Sequence, residues 1–228
     1  MSIHILTGHL GSGKTEVAIN LAVYLAERAR CSPASDAAVA LLDIDVVNPY
    51  FAAREARSFL ESQGILVAAP SLKTTTAALP TLPSEVYQLL HRKDLQIIID
   101  VGGDSTGARL LKSLQKYLEG EPLQVYGVVN TKRPSTARKQ DILAYLRDIR
   151  HASGLAHTAL IHNTHLLDET SPEDVHEGQT ILENVALECG LPIAFTAVMK
   201  ELALQFRINN AILAMERHIK PPFVVNSH

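Results

Sequence analysis

Residues 8–15, Gly8-His9-Leu10-Gly11-Ser12-Gly13-Lys14-Thr15, combine the types and the spacing needed to hold a polyphosphate. The order is G-x-x-x-x-G-K-T, a phosphate-binding loop. Gly8, Gly11 and Gly13 permit a tight curl, so the backbone N–H groups around Ser12 can converge on one anion. Lys14 can then reach the β- and γ-phosphates, and the Thr15 hydroxyl can ligate Mg²⁺. A chance glycine-rich turn followed by lysine is the plainer alternative, but chance does not supply the setting. An apolar run with Ile3, Ile5 and Leu6 precedes the loop. Val17, Ala18, Leu21, Ala22 and Leu25 follow it at helical spacing. A helix starting near Gly13 adds unpaired N–H groups and the positive end of its dipole.

Triphosphate chemistry also needs a carboxylate near the metal and a group that positions water. Ile97-Ile98-Ile99-Asp100 is an apolar strand ending in an acid, the pattern that holds Mg²⁺ directly or through water. Asp100-Val101-Gly102-Gly103 also reads D-x-x-G, in which the Gly103 N–H can meet a γ-phosphate. Leu41-Leu42-Asp43-Ile44-Asp45 is a second strand with acids at its end. Alternation puts Asp43 and Asp45 on one face. Two acids so close favour a cation, and one can touch the Mg²⁺ shell while the other orients the attacking water. The plainer reading of Asp100, and of Asp43, is a helix cap.

These residues need a scaffold that brings strand ends together. Strands are expected at Met1 to Thr7, Val39 to Ile44, Ile65 to Ala68, Leu95 to Val101, Leu123 to Val129, Thr158 to Ile161 and Ile193 to Ala197. Helices are expected at Lys14 to Arg30, Phe51 to Gln63, Ser84 to His91, Thr106 to Leu118, Pro134 to His151, Pro172 to Gly190 and Leu202 to Arg217. Ser84 and Ser171 read as N-caps, and Pro172 as a first helical residue. Cys31 to Ala37 and Pro70 to Pro83 read as loops. Strands apolar on both faces, alternating with helices, predict an α/β fold: a parallel sheet with helices on both faces, in three layers. Right-handed crossovers bring the strand C-termini, and so every motif above, to one edge. No composition break divides residues 1–228, which read as a single domain.

Composition narrows the classes. Hydrophobic residues make up 46% and aromatics only 5%, which suits an aliphatic core. A net charge of −3 calls for neither nucleic acid nor an anionic membrane. Cys31 and Cys189 lie far apart in no metal-ligand spacing and read as free thiols. There is no eighteen-residue apolar run, and the first strand starts at once, so a cytoplasmic chain without a leader or membrane span is expected.

A phosphate loop on the first strand, D-x-D on the second and D-x-x-G on a later one resemble the signal-recognition, MinD and BioD class of P-loop NTPases. Within it the chain is most similar to the MinD/ParA-like ATPases, which include the nitrogenase iron protein and nickel-insertion ATPases. The resemblance spans about residues 1–210. It implies ATP and Mg²⁺ as cofactors, ATP hydrolysis and a nucleotide-driven switch acting on a protein partner whose identity it leaves open. It places Asp45 in switch I, supporting hydrolysis, and Asp100 in switch II near Mg²⁺. It implies an asparagine that contacts adenine after a late strand. Asn163, in Leu160-Ile161-His162-Asn163, fits that place, and Asn130 is a rival. The family's signature lysine, five residues before the invariant one, is His9 here, which weakens the nucleotide-sandwich homodimer. The loop also resembles those of metallocentre-assembly GTPases. Guanine is usually read by N-K-x-D, whereas Asn130-Thr131-Lys132-Arg133 places lysine one position late without an aspartate, so adenine is favoured. A second reading is a small-molecule enzyme of the dethiobiotin-synthetase type, with Pro70 to Pro83 as a substrate lid. A third is a module that senses ATP without hydrolysing it.

Weaker features have plainer explanations. His157, His162 and His165 lack a ligand frame for a second metal. Basic residues outnumber acidic ones nine to four between Arg109 and Arg150, which solvated helix surfaces explain better than DNA. Lys220-Pro221-Pro222-Phe223 cannot continue a helix, so a MinD-type membrane tail is not expected.

Overall fold

Aliphatic runs such as Val39-Ala40-Leu41-Leu42 and Ile97-Ile98-Ile99 favour strands buried on both faces. In the computed structural model, which describes residues 1–31, 38–45, 56–69, 82–205 and 210–219, they lie at the centre of a parallel sheet. Its strands are β1 (Ser2–Thr7), β2 (Ala38–Asp43), β3 (Leu66–Ala68), β4 (Leu95–Asp100), β5 (Leu123–Val129), β6 (Ala159–His162), β7 (Ile193–Met199) and β8 (Ile212–Met215). Their order is β3-β2-β4-β1-β5-β6-β7-β8, and every neighbouring pair is parallel.

The helices are α1 (Lys14–Cys31), α2 (Arg57–Ser62), α3 (Ser84–Leu90), α4 (Ser105–Ser113), α5 (Gln115–Leu118), α6 (Lys139–Ser153), α7 (Pro172–Cys189) and α8 (Lys200–Ala203). Strand alternation sorts the side chains into two layers. Leu6, Leu41, Ile98 and Val128 pack under α1 and α2. Ile3, Ile5, Leu42 and Ile97 pack under α3, α4 and α5, while Val129 and Leu160 pack under α6 and α7. The three expected layers are present. The register sets Leu6 opposite Asp100, and Asp100 opposite Asp43, so those carboxylates share one edge.

The sequence reading is corrected at the C-terminal side. Leu202 to Arg217 is not one helix. α8 is short, and Ile212–Met215 is an eighth strand on β7. Leu213 and Met215 alternate inward against α1 while Ile212 stays exposed, so burial of every second residue overrides helical propensity. The helix expected over Thr106 to Leu118 divides at Leu114, and the one from Pro134 begins with a 3-10 turn before α6. Ser84 is the first residue of α3, and its hydroxyl makes no cap bond. Ser171 behaves as read: its Oγ accepts from Asp174 N at 3.2 Å, and Asp174 Oδ2 accepts from Ser171 N at 2.9 Å. The Asn48-Pro49 turn, the start of the Phe51 helix, nearly all of the Pro70 to Pro83 stretch and the Lys220 tail lie outside the described residues.

Candidate nucleotide site

The loop after β1 turns through two glycines in left-handed backbone, Gly11 at φ 80° and Gly13 at φ 78°. Gly13 has a second reason to be glycine: a Cβ there would lie 2.4 Å from Asn163 Nδ2. Ser12 N donates to His9 O at 2.9 Å and closes the turn. Lys14 then begins α1. Its side chain is buried, and Nζ lies 3.9 Å from Asp45 Oδ2. The loop folds over its own lysine because Asp45 offers an opposite charge in a site closed to water.

Asp100 ends β4 beside this lysine. Both carboxylate oxygens are buried without a hydrogen bond of ordinary geometry. Burial pushes the group up to about 6, opposed by the Lys14 charge and the Thr15 hydroxyl and reinforced by Asp45. It is not a helix cap. That position belongs to Asp104, whose Oδ1 accepts from Thr106 N and Gly107 N at 2.9 Å each. Asp43 Oδ1 accepts from Asp45 N at 2.9 Å; the helix start after Pro49 that it would cap lies outside the described residues. The D-x-x-G turn closes the arrangement. A Cβ on Gly102 would lie 3.2 Å from Asp45 Oδ1, and one on Gly103 would lie 2.8 Å from both Gly8 O and Leu10 N. Gly103 therefore touches the phosphate loop itself. The Thr15 hydroxyl with the carboxylates of Asp100 and Asp45 is a set of hard oxygen donors, and the orphaned Asp100 oxygens fit a small divalent cation such as Mg²⁺.

On the other side of the loop the two asparagines separate. Asn130, at the end of β5, is fully engaged. Its Nδ2 donates to Gly11 O at 3.3 Å and His165 O at 3.0 Å, and its Oδ1 accepts from Lys132 N at 3.0 Å and His165 N at 3.1 Å. Asn163, after β6, donates Nδ2 to Ser12 O at 2.7 Å, and its buried Oδ1 has no partner. Sequence reasoning missed two neighbours. Arg133 Nε donates to Gly11 O at 3.1 Å, and His165 Nε2 would lie 3.0 Å from a Cβ on Gly13. Burial, with Arg133 and Arg217 nearby, pushes His165 down to about 4, so it is neutral. No motif marks either residue; only the approach of loops after β5 and β6 brings them to the glycines.

Asn163 and His165 line a narrow cleft together with Leu167, Met199 and Arg217. It is a partly open cleft whose walls also include Thr164, Thr170 and Val198. The outer wall is Arg217, paired with Asp168 at 2.7 Å. The inner wall is Glu16, whose two carboxylate oxygens accept from His218 N at 2.7 Å and Ile219 N at 3.1 Å.

His162 bonds Thr164 Oγ1 at 2.8 Å and His157 bonds Thr7 Oγ1 at 2.9 Å, so both are core groups. Among the described residues no three His, Cys, Asp or Glu side chains come together as a metal cluster, and no helix is long and apolar enough to cross a membrane.

No protein-family model matches the sequence, and no curated protein matches it. Solved structures do. Chloroplast FtsY from Physcomitrella patens is 17% identical with a TM-score of 0.57, covering 86% of this chain and 58% of its own. The signal recognition particle receptor FtsY from Elizabethkingia anophelis, in complex with GDP, is 20% identical with a TM-score of 0.51, over 86% and 57%. The signal recognition particle 54 kDa protein from Aeropyrum pernix K1, also in complex with GDP, is 20% identical with a TM-score of 0.52, over 85% and 40%. This chain thus spans about half the length of the structures it matches. The likeness is one of fold: an α/β, P-loop NTPase-like sheet with its helices.

Proposed function

We propose that this chain is a Mg²⁺-dependent, nucleotide-driven switch of the MinD/ParA-like type that binds and hydrolyses ATP. The observation that carries the reading is Asp100: a buried carboxylate with no hydrogen bond of ordinary geometry, beside Lys14 and Thr15 of a phosphate loop. A buried acid so weakly completed by its own chain is costly unless a ligand completes it. Gly8, Gly11, Ser12 and Gly13 cradle the phosphates through their backbone, and Lys14 holds the β- and γ-oxygens. Thr15 and Asp100, with Asp45 close by, would hold Mg²⁺, which when bound neutralises charge building on the phosphate oxygens. In the structure Lys14 faces Asp45. A polyphosphate competes for the same ammonium, so its arrival loosens the Lys14–Asp45 pair, lets Asp45 orient water and shifts the chain just after β2 at Ile44 and Asp45. Gly103, in contact with the phosphate loop, carries the same event to the loop before α4. That is a switch: two strand ends, at Asp45 and at Gly103, whose positions depend on the nucleotide.

Asn163 is the base contact, since its unpartnered Oδ1 can accept from the adenine N6 amino group. Guanine asks for a carboxylate that takes N1–H and N2–H together. The acids at the cleft are committed, Glu16 to backbone N–H groups and Asp168 to Arg217. A second reading is GTP, because two of the structural neighbours are complexes with GDP. Competition of ATP and GTP for a fluorescent nucleotide in Mg²⁺, with phosphate release measured for each, decides between them. A preference for GTP would overturn the adenine reading and point to the signal-recognition or metallocentre GTPases. Phosphate release absent with both would leave a binding module and overturn hydrolysis.

A further inference from the structure

Away from the nucleotide site, a cavity of about 320 Å³ opens between α6 and the end of α7. Leu143, Leu146 and Leu191 give it apolar walls, Arg147 and Arg150 stand at its edge, and His157 forms part of its floor. We infer that this cavity binds an amphipathic monoanion, a carboxylate on a short apolar tail, and that its occupancy is felt at the phosphate loop.

The charge balance selects the ligand's head. Among the described residues neither Arg147 nor Arg150 forms an ion pair with a carboxylate. The cavity's own acid, Glu188, is held by Lys139 at 2.8 Å. Arg147 Nε donates to Leu143 O at 3.2 Å, which fixes the guanidinium at the rim. Burial and the Arg150 charge hold His157 neutral. Two guanidiniums therefore face one opening with no anion among the described residues paired to them, and their planar forks match a carboxylate. The leucines select the tail, and the volume is that of a small-molecule site.

The floor leads to the phosphate loop. Thr7 Oγ1 donates to Tyr126 O at 3.0 Å, so His157 Nε2, 2.9 Å away, is the donor to Thr7. Thr7 is the residue before Gly8. Opposite it in register is Gly127, where a Cβ would lie 2.7 Å from Leu146 and 3.5 Å from His157. The cavity wall thus presses on β5 beside the root of the loop. A ligand that shifts Leu146 or His157 changes those contacts, and coupling between two binding sites is reciprocal.

Sodium octanoate is the probe, titrated calorimetrically into the full chain without nucleotide, so that the result does not depend on the ATP reading. Binding is expected, and Arg147→Ala with Arg150→Ala should weaken it at least about ten-fold while the circular dichroism spectrum stays that of the parent. Both side chains are exposed, so the fold does not rest on them. Octanoate at saturation should change the affinity for a fluorescent ATP analogue at least about three-fold in the parent and not in the double variant. No octanoate binding, equal binding by the double variant, or equal binding of 1-octanol would overturn the site. Equal binding of inorganic phosphate would overturn the amphipathic class. An unchanged nucleotide affinity would overturn the coupling.

Discussion

At the ends of β1, β2 and β4, buried charged side chains are crowded together, and one carboxylate has no hydrogen bond of ordinary geometry. At the ends of β5 and β6, neutral amides, hydroxyls and imidazoles meet, and Asn130 alone makes four hydrogen bonds. The first region is incomplete as it stands; the second is mostly finished. Buried charge is expensive unless something completes it, whereas a satisfied neutral network rigidifies its surroundings. The chain therefore keeps its reactive groups on one side of the phosphate loop and braces the loop from the other. Substitutions on the two sides should fail in different ways.

The largest effect is expected from Lys14→Ala, which removes the loop's charged side chain, the one proposed to hold the β- and γ-phosphates. Binding of a fluorescent ATP analogue should become undetectable, and since the buried ion pair with Asp45 would be lost, some stability should go too. ATP hydrolysis by this variant at the parent rate would mean that the loop is not the active site.

Next, Asp100→Ala and Asp45→Ala should separate. Asp100→Ala should abolish the dependence of affinity on Mg²⁺, seen in isotherms with and without the metal. Asp45→Ala should leave affinity nearly intact and lower kcat by on the order of 10²-fold, the usual loss for a positioned acid–base group. Equal affinity losses in both variants would erase the distinction between the carboxylates. Full activity in Asp45→Ala would transfer the role to Asp43.

Across the loop, Asn130→Ala should cost about 2–3 kcal/mol of stability, because the backbone groups of His165 and Gly11 lose their partners. Asn163→Ala should instead leave the melting temperature within a few degrees while reducing the preference for ATP over GTP. If the two variants behave alike, bracing and base contact are not divided between the asparagines.

The smallest effect is one of acidity, and it also divides the regions. Burial pushes His157, His162 and His165 down to about 4, below the ordinary 6.5. The unfolded chain takes up those protons first, so each histidine removes stability as pH falls from 6.5 towards 4. Asp100 acts oppositely. The native state takes its proton at about 6 and the unfolded chain only near 3.8, so stability rises as pH falls through that interval. His4 and His218, also lowered by burial, act with the three histidines, and Glu16, raised by burial, acts with Asp100; the histidines outweigh the acids, and the melting temperature should be lower near pH 5 than near pH 7. Protonation of Asp100 should also weaken Mg²⁺-dependent binding below about pH 6, and Asp100→Asn should lack that step. A flat melting profile would contradict the buried neutral histidines.

The phosphate end was legible because its chemistry is local. Gly8 to Thr15 are contiguous, Asp100 closes a run of isoleucines, and a strand before the loop with a helix after it leaves few other folds. The helix expected over Leu202 to Arg217 failed for the converse reason. Whether Leu213 and Met215 face one helix stripe or one side of a strand depends on β7 lying beside them, which no spacing in that segment records. Nothing near Lys14 in the sequence marks its burial either, because Asp45, 3.9 Å from it in space, lies thirty-one positions away.

By itself, then, the sequence determined the layered sheet, the phosphate loop and the carboxylates at its edge, because strand alternation and tight-turn glycines act within a few residues. Only the tertiary structure decided which asparagine braces and which is left with an open acceptor. The same holds for the approach of Arg133 and His165 to the glycines and for the two arginines facing an apolar cavity behind Thr7. Those outcomes depend on crossovers that set loops from distant strands side by side, and on burial, which turns an ordinary amide or carboxylate into one that must find a partner.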